Sequence, residues 1–130
     1  MKNKWLFITA LSGFLAVALG AFAAHSLQKT LSPQALAWID TGLKYQVFHT
    51  LALMVLGVLQ VVVNNSERTL KINATLNIIG TFWLLGMLLF SGSLYALAFG
   101  VEKSVIWWIT PVGGTLFLIG WLVLAYKAIK

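Results

Sequence analysis

Four long runs of apolar residues alternate with short polar segments along the chain. The runs cover about residues 5–25, 45–63, 72–99 and 109–126, and each is long enough for a membrane-crossing helix, which needs about 20 residues. A strand of a membrane barrel would need only about 10 residues of alternating polarity, a pattern that these runs lack. The pattern predicts an all-α membrane protein in which residues 1–130 form a single domain, an up-down bundle of four transmembrane helices.

The first polar connection is longer than the others and has its own helix signal. Ser32 followed by Pro33 is the usual order of a helix N-cap and first helical position. We therefore expect a short amphipathic helix in this first outer loop, which leads into the second span and can bend at Gly42. Asp40 and Lys44 are four residues apart in it, a spacing that predicts a local ion pair.

The first apolar run also resembles a secretory signal peptide. Lys2 and Lys4 precede it, and residues 21–23 (Ala-Phe-Ala) fit a small-x-small cleavage site. The run is longer than the apolar core of a typical signal peptide, which has about 7–15 residues. We therefore interpret it as the first membrane span.

The composition agrees with a protein whose solvent is lipid. Hydrophobic residues form 60% of the chain and charged residues 9%, whereas a soluble domain has about 25% charged residues. The chain has no Cys, which excludes disulfides, thiolate catalysis and Cys-based metal sites. Its net charge of +6 would suggest nucleic acid in a soluble protein. Here the basic residues stand singly at the ends of apolar runs, so we expect a lipid bilayer and no nucleic acid as the partner.

The placement of the basic residues predicts that both termini lie in the cytoplasm, because Lys and Arg are enriched in cytoplasmic loops. One side of a four-span protein would carry six of them: Lys2, Lys4, Arg68, Lys71, Lys127 and Lys130. The other side would carry Lys29, Lys44 and Lys103.

With this orientation, the uncharged polar residues and glycines of all four spans concentrate in the outer half of the membrane. The inner half is mostly Leu, Val and Ile, with Ser12, Asn77 and Thr81 as exceptions. Unsatisfied polar groups are costly in lipid, so the outer residues should face one another or water. One interpretation is an outward-facing polar pocket that binds a lipid headgroup or a small solute. The residues expected to line it are His25, Lys44, Tyr45, Gln46, His49, Ser91, Ser93, Tyr95 and Thr110.

The alternative interpretation is structural, with interhelical hydrogen bonds and small residues that let helices approach closely. The protein would then be an assembly subunit that forms a homo-oligomer or binds a membrane partner. Small residues recur every four positions in the first span, and two glycines open the fourth span. The residues expected to serve packing are Ser12, Ala16, Gly20, Ala24, Gly113 and Gly114.

Few residues could carry chemistry. His25 and His49 come from neighbouring helices and could hold a haem or a metal, but a zinc site needs three or four ligands, and a hydrogen-bonded His in a polar core is commoner. We expect no metal and no cofactor. Residues 91–93 (Ser-Gly-Ser) lack the strand–turn–helix setting of a nucleophile elbow, so we expect a non-enzymatic protein. Transport through His49 and haem binding are the less favoured alternatives.

Five motifs in order resemble a known family: residues 20–25 (GAFAAH), 41–49 (TGLKYQVFH), 90–95 (FSGSLY), 109–114 (ITPVGG) and 120–121 (GW). Together they resemble the YgdD/YwdK family of small bacterial inner-membrane proteins of unknown function. The resemblance covers nearly the whole chain and departs from the family pattern at Ala23 and Lys44, where the family usually has Gly and Arg. It implies four transmembrane helices in a bacterial cytoplasmic membrane, and it implies no reaction.

Overall fold

The structure, a computed structural model, describes residues 2–63 and 67–130, and of residues 67 and 68 it describes the backbone alone. Residues 64–66 and the Arg68 side chain belong to the predicted second connection and lie outside the described residues.

The described chain is built from helices. The α-helices are α1 (Lys4–His25), α2 (Pro33–Val62), α3 (Glu67–Gly86), α4 (Gly92–Ala98), α5 (Lys103–Ile106) and α6 (Ile109–Ile129). A 3₁₀ turn at Leu27–Lys29 follows α1, and a π-helical segment at Met87–Ser91 joins α3 directly to α4. Four stretches are long and apolar enough to cross a membrane: Lys4–His25, Pro33–Val62, Thr69–Ala98 and Lys103–Ile129. The prediction of an all-α membrane protein with four such helices is confirmed.

The first two long helices begin at side-chain caps. Asn3 Oδ1 accepts a hydrogen bond of 2.9 Å from the backbone N–H of Trp5 at the start of α1. At the start of α2, Ser32 Oγ accepts one of 3.1 Å from the backbone N–H of Ala35, and Pro33 takes the first helical position. Each cap satisfies a backbone donor that has no partner within its helix. The predicted cap at Ser32 is therefore confirmed.

The helix predicted for the first outer loop is the first part of α2, which continues as one α-helix into the second span. Gly42 does not interrupt it. The ring of Tyr95 fills the space over this glycine, where an added Cβ would lie 2.6 Å from Tyr95 Cε1. The predicted ion pair is also present, with 2.9 Å between Lys44 Nζ and an Asp40 carboxylate oxygen, and both side chains are exposed.

Helix α2 occupies the middle of the bundle. Helix α1 packs along α2, α4 and the π segment pack on α2 as well, and α6 packs against α3 and the π segment. Asn3 at the start of α1 donates to Gln60 near the end of α2 over 2.9 Å. Lys71 near the start of α3 and Lys127 near the end of α6 line one surface groove. Both chain termini therefore lie at the same end of the bundle, which we call the termini end.

Aromatic rings join the long helices by filling the space over glycines. Three pairs do this in the core: Trp5 with Gly80, Trp83 with Gly120, and Phe117 with Gly86. An added Cβ at Gly80, Gly120 or Gly86 would lie 2.6, 2.5 or 2.5 Å from its partner side chain. The three rings belong to the main core cluster, which also contains Leu53, Leu56, Leu76, Ile79 and Met87. Small residues here serve close packing between helices, as is typical of membrane bundles.

The π segment brings the third span into close contact with α6. The Phe90 backbone lies directly against Gly113, and a Cβ at that position would overlap the Phe90 backbone nitrogen. At Gly114 a Cβ would make an ordinary contact of 3.7 Å with the Phe90 ring. The sequence pattern did not predict this segment. Helical periodicity assumes about 100° per residue, whereas a π turn contains more residues and so rotates less at each one.

Candidate functional site

A network of hydrogen bonds around Gln46 of α2 connects three helices. Gln46 Nε2 lies 3.1 Å from both the carbonyl oxygen and the Oγ atom of Ser12 on α1. Gln46 Oε1 accepts a hydrogen bond of 2.6 Å from the hydroxyl of Tyr95 on α4. Because the Ser12 carbonyl oxygen can only accept, the amide nitrogen of Gln46 must face it, which fixes the orientation of the amide.

The network continues from Ser12 to the π segment. Ser12 Oγ lies 2.7 Å from Thr50 Oγ1, and the Thr50 hydroxyl donates to Met87 Sδ over 3.8 Å. Since the Thr50 proton is directed at the sulfur, Ser12 is the donor in its bond to Thr50. The bonds then run in one direction from the Tyr95 hydroxyl to the Met87 sulfur. Hydrogen bonds aligned in this way polarise and strengthen one another.

A cavity of about 430 Å³ lies beside this network, between α1 and the third long helix. At the termini end these helices touch, where Trp5 Nε1 donates to Asn77 Oδ1 over 2.8 Å. Further along they leave a space that opens between half-exposed leucines, and we call it the lateral cleft. Its lining residues are Ile8, Leu11, Ser12, Leu15, Leu19, Gln46, Leu84, Met87, Leu88, Ser91, Gly92 and Tyr95.

The lateral cleft has apolar walls and a small polar floor formed by Ser12, Gln46, Ser91 and Tyr95. Its described lining residues carry no charge. The Ser91 hydroxyl donates to the Gly42 carbonyl oxygen over 2.7 Å, and the Tyr95 hydroxyl donates to Gln46. Because both hydroxyl protons are already used, these oxygens can offer only lone pairs to a bound molecule. The floor therefore favours a ligand that donates a hydrogen bond.

His49 of α2 lies outside the lateral cleft, among aromatic rings. Its Nδ1 atom lies 2.8 Å from the Tyr45 carbonyl oxygen and must carry the proton, and its Nε2 atom accepts a hydrogen bond of 3.0 Å from Trp121 Nε1. The Phe117 ring stacks on the imidazole with 3.7 Å between ring centroids. Both nitrogens of this neutral ring are engaged, so a haem or metal would have to displace a hydrogen bond. Among the described residues, no group of three His, Cys, Asp or Glu could hold a metal ion.

Comparison with known proteins identifies the family of the chain. The family described as "Protein of unknown function (DUF423)" matches residues 19–114, which is more than half of the chain. The chain belongs to the DUF423 family. No solved structure matches it.

The relatives of this DUF423 protein are named as membrane proteins. A UPF0382 membrane protein of Haemophilus influenzae is 55% identical over 130 residues, covering 100% of this chain and 97% of the relative. The UPF0382 inner membrane protein YgdD of Escherichia coli K12 is 44% identical over 132 residues, covering 100% and 93%. A UPF0382 membrane protein of Staphylococcus saprophyticus is 36% identical over 126 residues, covering 97% of each. The predicted resemblance to the YgdD/YwdK family is confirmed, and these names indicate no specific function.

The DUF423 chain brings three of the nine predicted pocket residues together in the lateral cleft, namely Gln46, Ser91 and Tyr95. Ser93 and Thr110 instead pair with each other between α4 and α6, with 2.5 Å between their hydroxyl oxygens. They satisfy each other away from the cleft, which is the structural role that the alternative interpretation expected of such residues. Whether any of these side chains binds a ligand stays a prediction.

The positions of His25, Lys44 and Tyr45 do not match the expectation that they line a common pocket. All three side chains are exposed. The buried face of α2 is set by residues at helical spacing, including Gln46 and His49, and neither Lys44 nor Tyr45 belongs to it. His25 is the last residue of α1 and lies beyond the cleft lining.

The predicted small-residue stripe of α1 faces α2 over part of its length. Ser12 and Ala16 are buried, and a Cβ added at Gly20 would lie 3.8 Å from Leu43 Cδ1. Ala24 is exposed. The stripe therefore serves packing within the same chain at its first two members, which makes it less available for a second protomer.

A second polar network at the termini end was not predicted, because the inner half was expected to be mostly apolar. Asn3 Nδ2 donates to Gln60 Oε1, and Gln60 Nε2 donates to Asn77 Oδ1, each over 2.9 Å. Asn77 Oδ1 also accepts the bond from Trp5 described above. The signal in the sequence was Asn77, one of the few polar residues in the inner half.

Proposed function

We propose that this DUF423 protein binds an uncharged, largely apolar membrane molecule in the lateral cleft, through a group that donates a hydrogen bond. A lipid alcohol or a quinol has this chemistry. The main support is the cleft itself, whose volume of about 430 Å³ falls in the range of about 300–1,000 Å³ that is usual for ligand pockets. Its opening between Leu11, Leu15 and Leu88, which are 50%, 52% and 62% exposed, favours entry from the lipid rather than from water.

A charged headgroup fits the lateral cleft poorly. A charge taken out of water is very costly unless it is paired, and the described lining offers no charged partner. Lys44, a cation among the residues predicted to line the pocket, lies on the surface beside Asp40. The proposal therefore narrows the predicted ligand class from a headgroup or small solute to a neutral molecule.

We infer a binding role rather than catalysis. The described cleft lining contains no His, Asp, Glu, Lys or Arg that could move a proton, and the Ser91 hydroxyl is directed at the Gly42 carbonyl rather than at a base. The assembly role has less support, because the buried part of the α1 stripe already faces α2.

The proposed location is the bacterial inner membrane, with four crossings and both termini in the cytoplasm. Six of the nine Lys and Arg residues belong to the termini end or its connection, and Lys and Arg favour the cytoplasmic side. The lateral cleft would then open within the membrane, between the two leaflet surfaces.

The test fills the cleft at Gly92, which lines it and has no atom within 4 Å of an added Cβ. The Gly92→Phe variant adds a ring at the cleft lining, and its Cβ meets no described atom of the protein. Gly13→Phe is the matched control, because Gly13 of α1 also has open space at its Cβ but lies outside the cleft lining. Each protein is purified in mild detergent, and its co-purified lipids are extracted and measured by mass spectrometry.

We expect a neutral hydroxyl-bearing lipid to co-purify with the wild type and with Gly13→Phe, and to be lost from Gly92→Phe. Equal retention by all three proteins would show that the cleft does not hold it. A cleft ligand that carries a net charge would refute the assignment of the ligand class.

A further inference from the structure

A second cavity, separate from the lateral cleft, lies at the termini end and has a volume of about 540 Å³. In contrast to the cleft, almost all of its lining side chains are polar, and two are cationic. The lining residues are Lys2, Asn3, Lys4, Gln60, Val61, Asn73 and Asn77. We call it the termini-end cavity. It joins the starts of α1 and α3 with the end of α2, and Lys2 and Lys4 stand at the start of the first apolar span, where basic residues are expected to meet lipid headgroups.

The walls of the termini-end cavity are held in place before any ligand binds. The Gln60 amide bridges Asn3 and Asn77, as described above. Lys4 Nζ lies 5.0 Å from the centroid of the Trp5 ring, which is the geometry of a cation–π contact. Trp5 is itself fixed by its hydrogen bond to Asn77. These contacts lower the ordering cost of binding, because the groups are already positioned.

One buried acceptor of a residue that lines this cavity has no hydrogen-bond partner in the described part of the chain. Within the described ranges, Asn73 Oδ1 is buried and has no hydrogen-bond partner. Buried polar atoms are normally paired, and an unpaired one calls for an explanation. The cavity thus offers two ammonium groups, which attract an anion, and its wall contains an Asn side chain whose oxygen has no donor among the described residues.

We infer that the termini-end cavity is a headgroup site for a phospholipid whose phosphodiester is followed by a hydrogen-bond donor. In the bound state the phosphate lies beside Lys2 and Lys4, and the Asn73 amide rotates about χ2 so that its Oδ1 atom faces the cavity and accepts from the donor. An ethanolamine ammonium and the hydroxyls of a glycerol headgroup both supply this chemistry. A choline headgroup has the same phosphodiester but no N–H or O–H, so it lacks the second contact.

The test measures phospholipid binding to the full chain by native mass spectrometry. Phosphatidylethanolamine, phosphatidylglycerol and phosphatidylcholine with identical acyl chains are compared, which separates the two sources of the donor. In the wild type we expect phosphatidylethanolamine to bind about tenfold more tightly than phosphatidylcholine, the size of one hydrogen bond to a charged donor. In the Asn73→Leu variant, of similar size, the two lipids should bind equally.

A charge variant checks the phosphate contact, although at position 4 it also removes the contact of Lys4 with the Trp5 ring. The double variant Lys2→Gln, Lys4→Gln should bind each of the three lipids severalfold more weakly than the wild type. Lys127→Gln with Lys130→Gln removes the same charge from exposed positions outside this cavity and should leave binding unchanged. Thermal unfolding is measured for every variant, so that any variant that fails to fold is recognised.

Two results would overturn the inference. One is equal binding of phosphatidylethanolamine and phosphatidylcholine to the wild type. The other is an equal loss of lipid binding in the two double charge variants. Soluble glycerophosphoethanolamine is included as a competitor. If it displaces the lipid at equal concentration, the site recognises a free phosphate ester, and the assignment to a phospholipid is wrong.

Discussion

The contact between Gly113 and the Phe90 backbone leads to a sharp prediction about two neighbouring glycines. Gly113→Ala would place a methyl group against backbone atoms of the π segment, which cannot rotate away as a side chain can. Gly114→Ala would place the same group in an ordinary contact of 3.7 Å with the Phe90 ring. Both positions lie in the first turns of α6, so the helix-propensity effect of the two substitutions is the same.

The difference in unfolding free energy follows from two opposing effects. Overpacking costs about 1–3 kcal/mol, and we expect about 3 kcal/mol at Gly113 because the obstacle is backbone. Replacing Gly by Ala inside a helix gains about 0.5–1 kcal/mol. Gly113→Ala should therefore destabilise the protein by about 2 kcal/mol, and Gly114→Ala should stabilise it by up to about 1 kcal/mol. The two neighbours should differ by about 3 kcal/mol.

The assay is unfolding by sodium dodecyl sulfate in mixed micelles, followed by the fluorescence of the chain's six Trp residues. The free energy of unfolding is extrapolated to zero denaturant for the wild type and both variants. If the two variants unfold at the same denaturant fraction, the close approach of α6 to the π segment is not what distinguishes these positions. The reasoning would also fail if Gly114→Ala were the less stable variant.

Three further outcomes are expected. Tyr95→Phe leaves Gln46 Oε1 without its donor and should cost about 1 kcal/mol, the typical size of an interhelical hydrogen bond in a membrane; unchanged stability would contradict the network. Nitrogen-15 chemical shifts should show His49 as the neutral Nδ1–H tautomer, and an Nε2–H signal would contradict its bond from the indole. Because the chain has no Cys, single Ser104→Cys and Lys130→Cys variants can be labelled in intact cells with a membrane-impermeant maleimide. Only Ser104→Cys should react, and a reaction of Lys130→Cys alone would show that the orientation is the opposite of the one proposed.

Much of the fold was predictable because it depends on local sequence. The apolar runs are continuous stretches of sequence, and the structure contains four long helices there. The Ser32 cap and the ion pair of Asp40 and Lys44 join residues three and four positions apart, and both are present. The π segment was not predictable in this way. It packs against a partner helix whose Gly113 lies more than 20 residues away, and no local pattern encodes that contact.

The candidate site was predictable only in part, for the same physical reason. The sequence indicated Gln46, Ser91 and Tyr95 as polar residues that must face inward, and they do. It did not indicate that Trp121 would satisfy His49, since the two residues are 72 positions apart. It placed Lys44 in the pocket from its depth alone, although the direction of a side chain depends on its helical face as well as on its depth.

The rings that lie over glycines also constrain how the family can diverge. At Gly86 a larger residue requires a smaller one at position 117, so the two positions should change together among relatives. The same coupling is expected between Gly120 and Trp83. Gly113 differs, because its neighbour is backbone and no substitution at another position can make room. Paired variation at the ring contacts, with glycine retained at 113, is therefore the evolutionary signature that this architecture should leave.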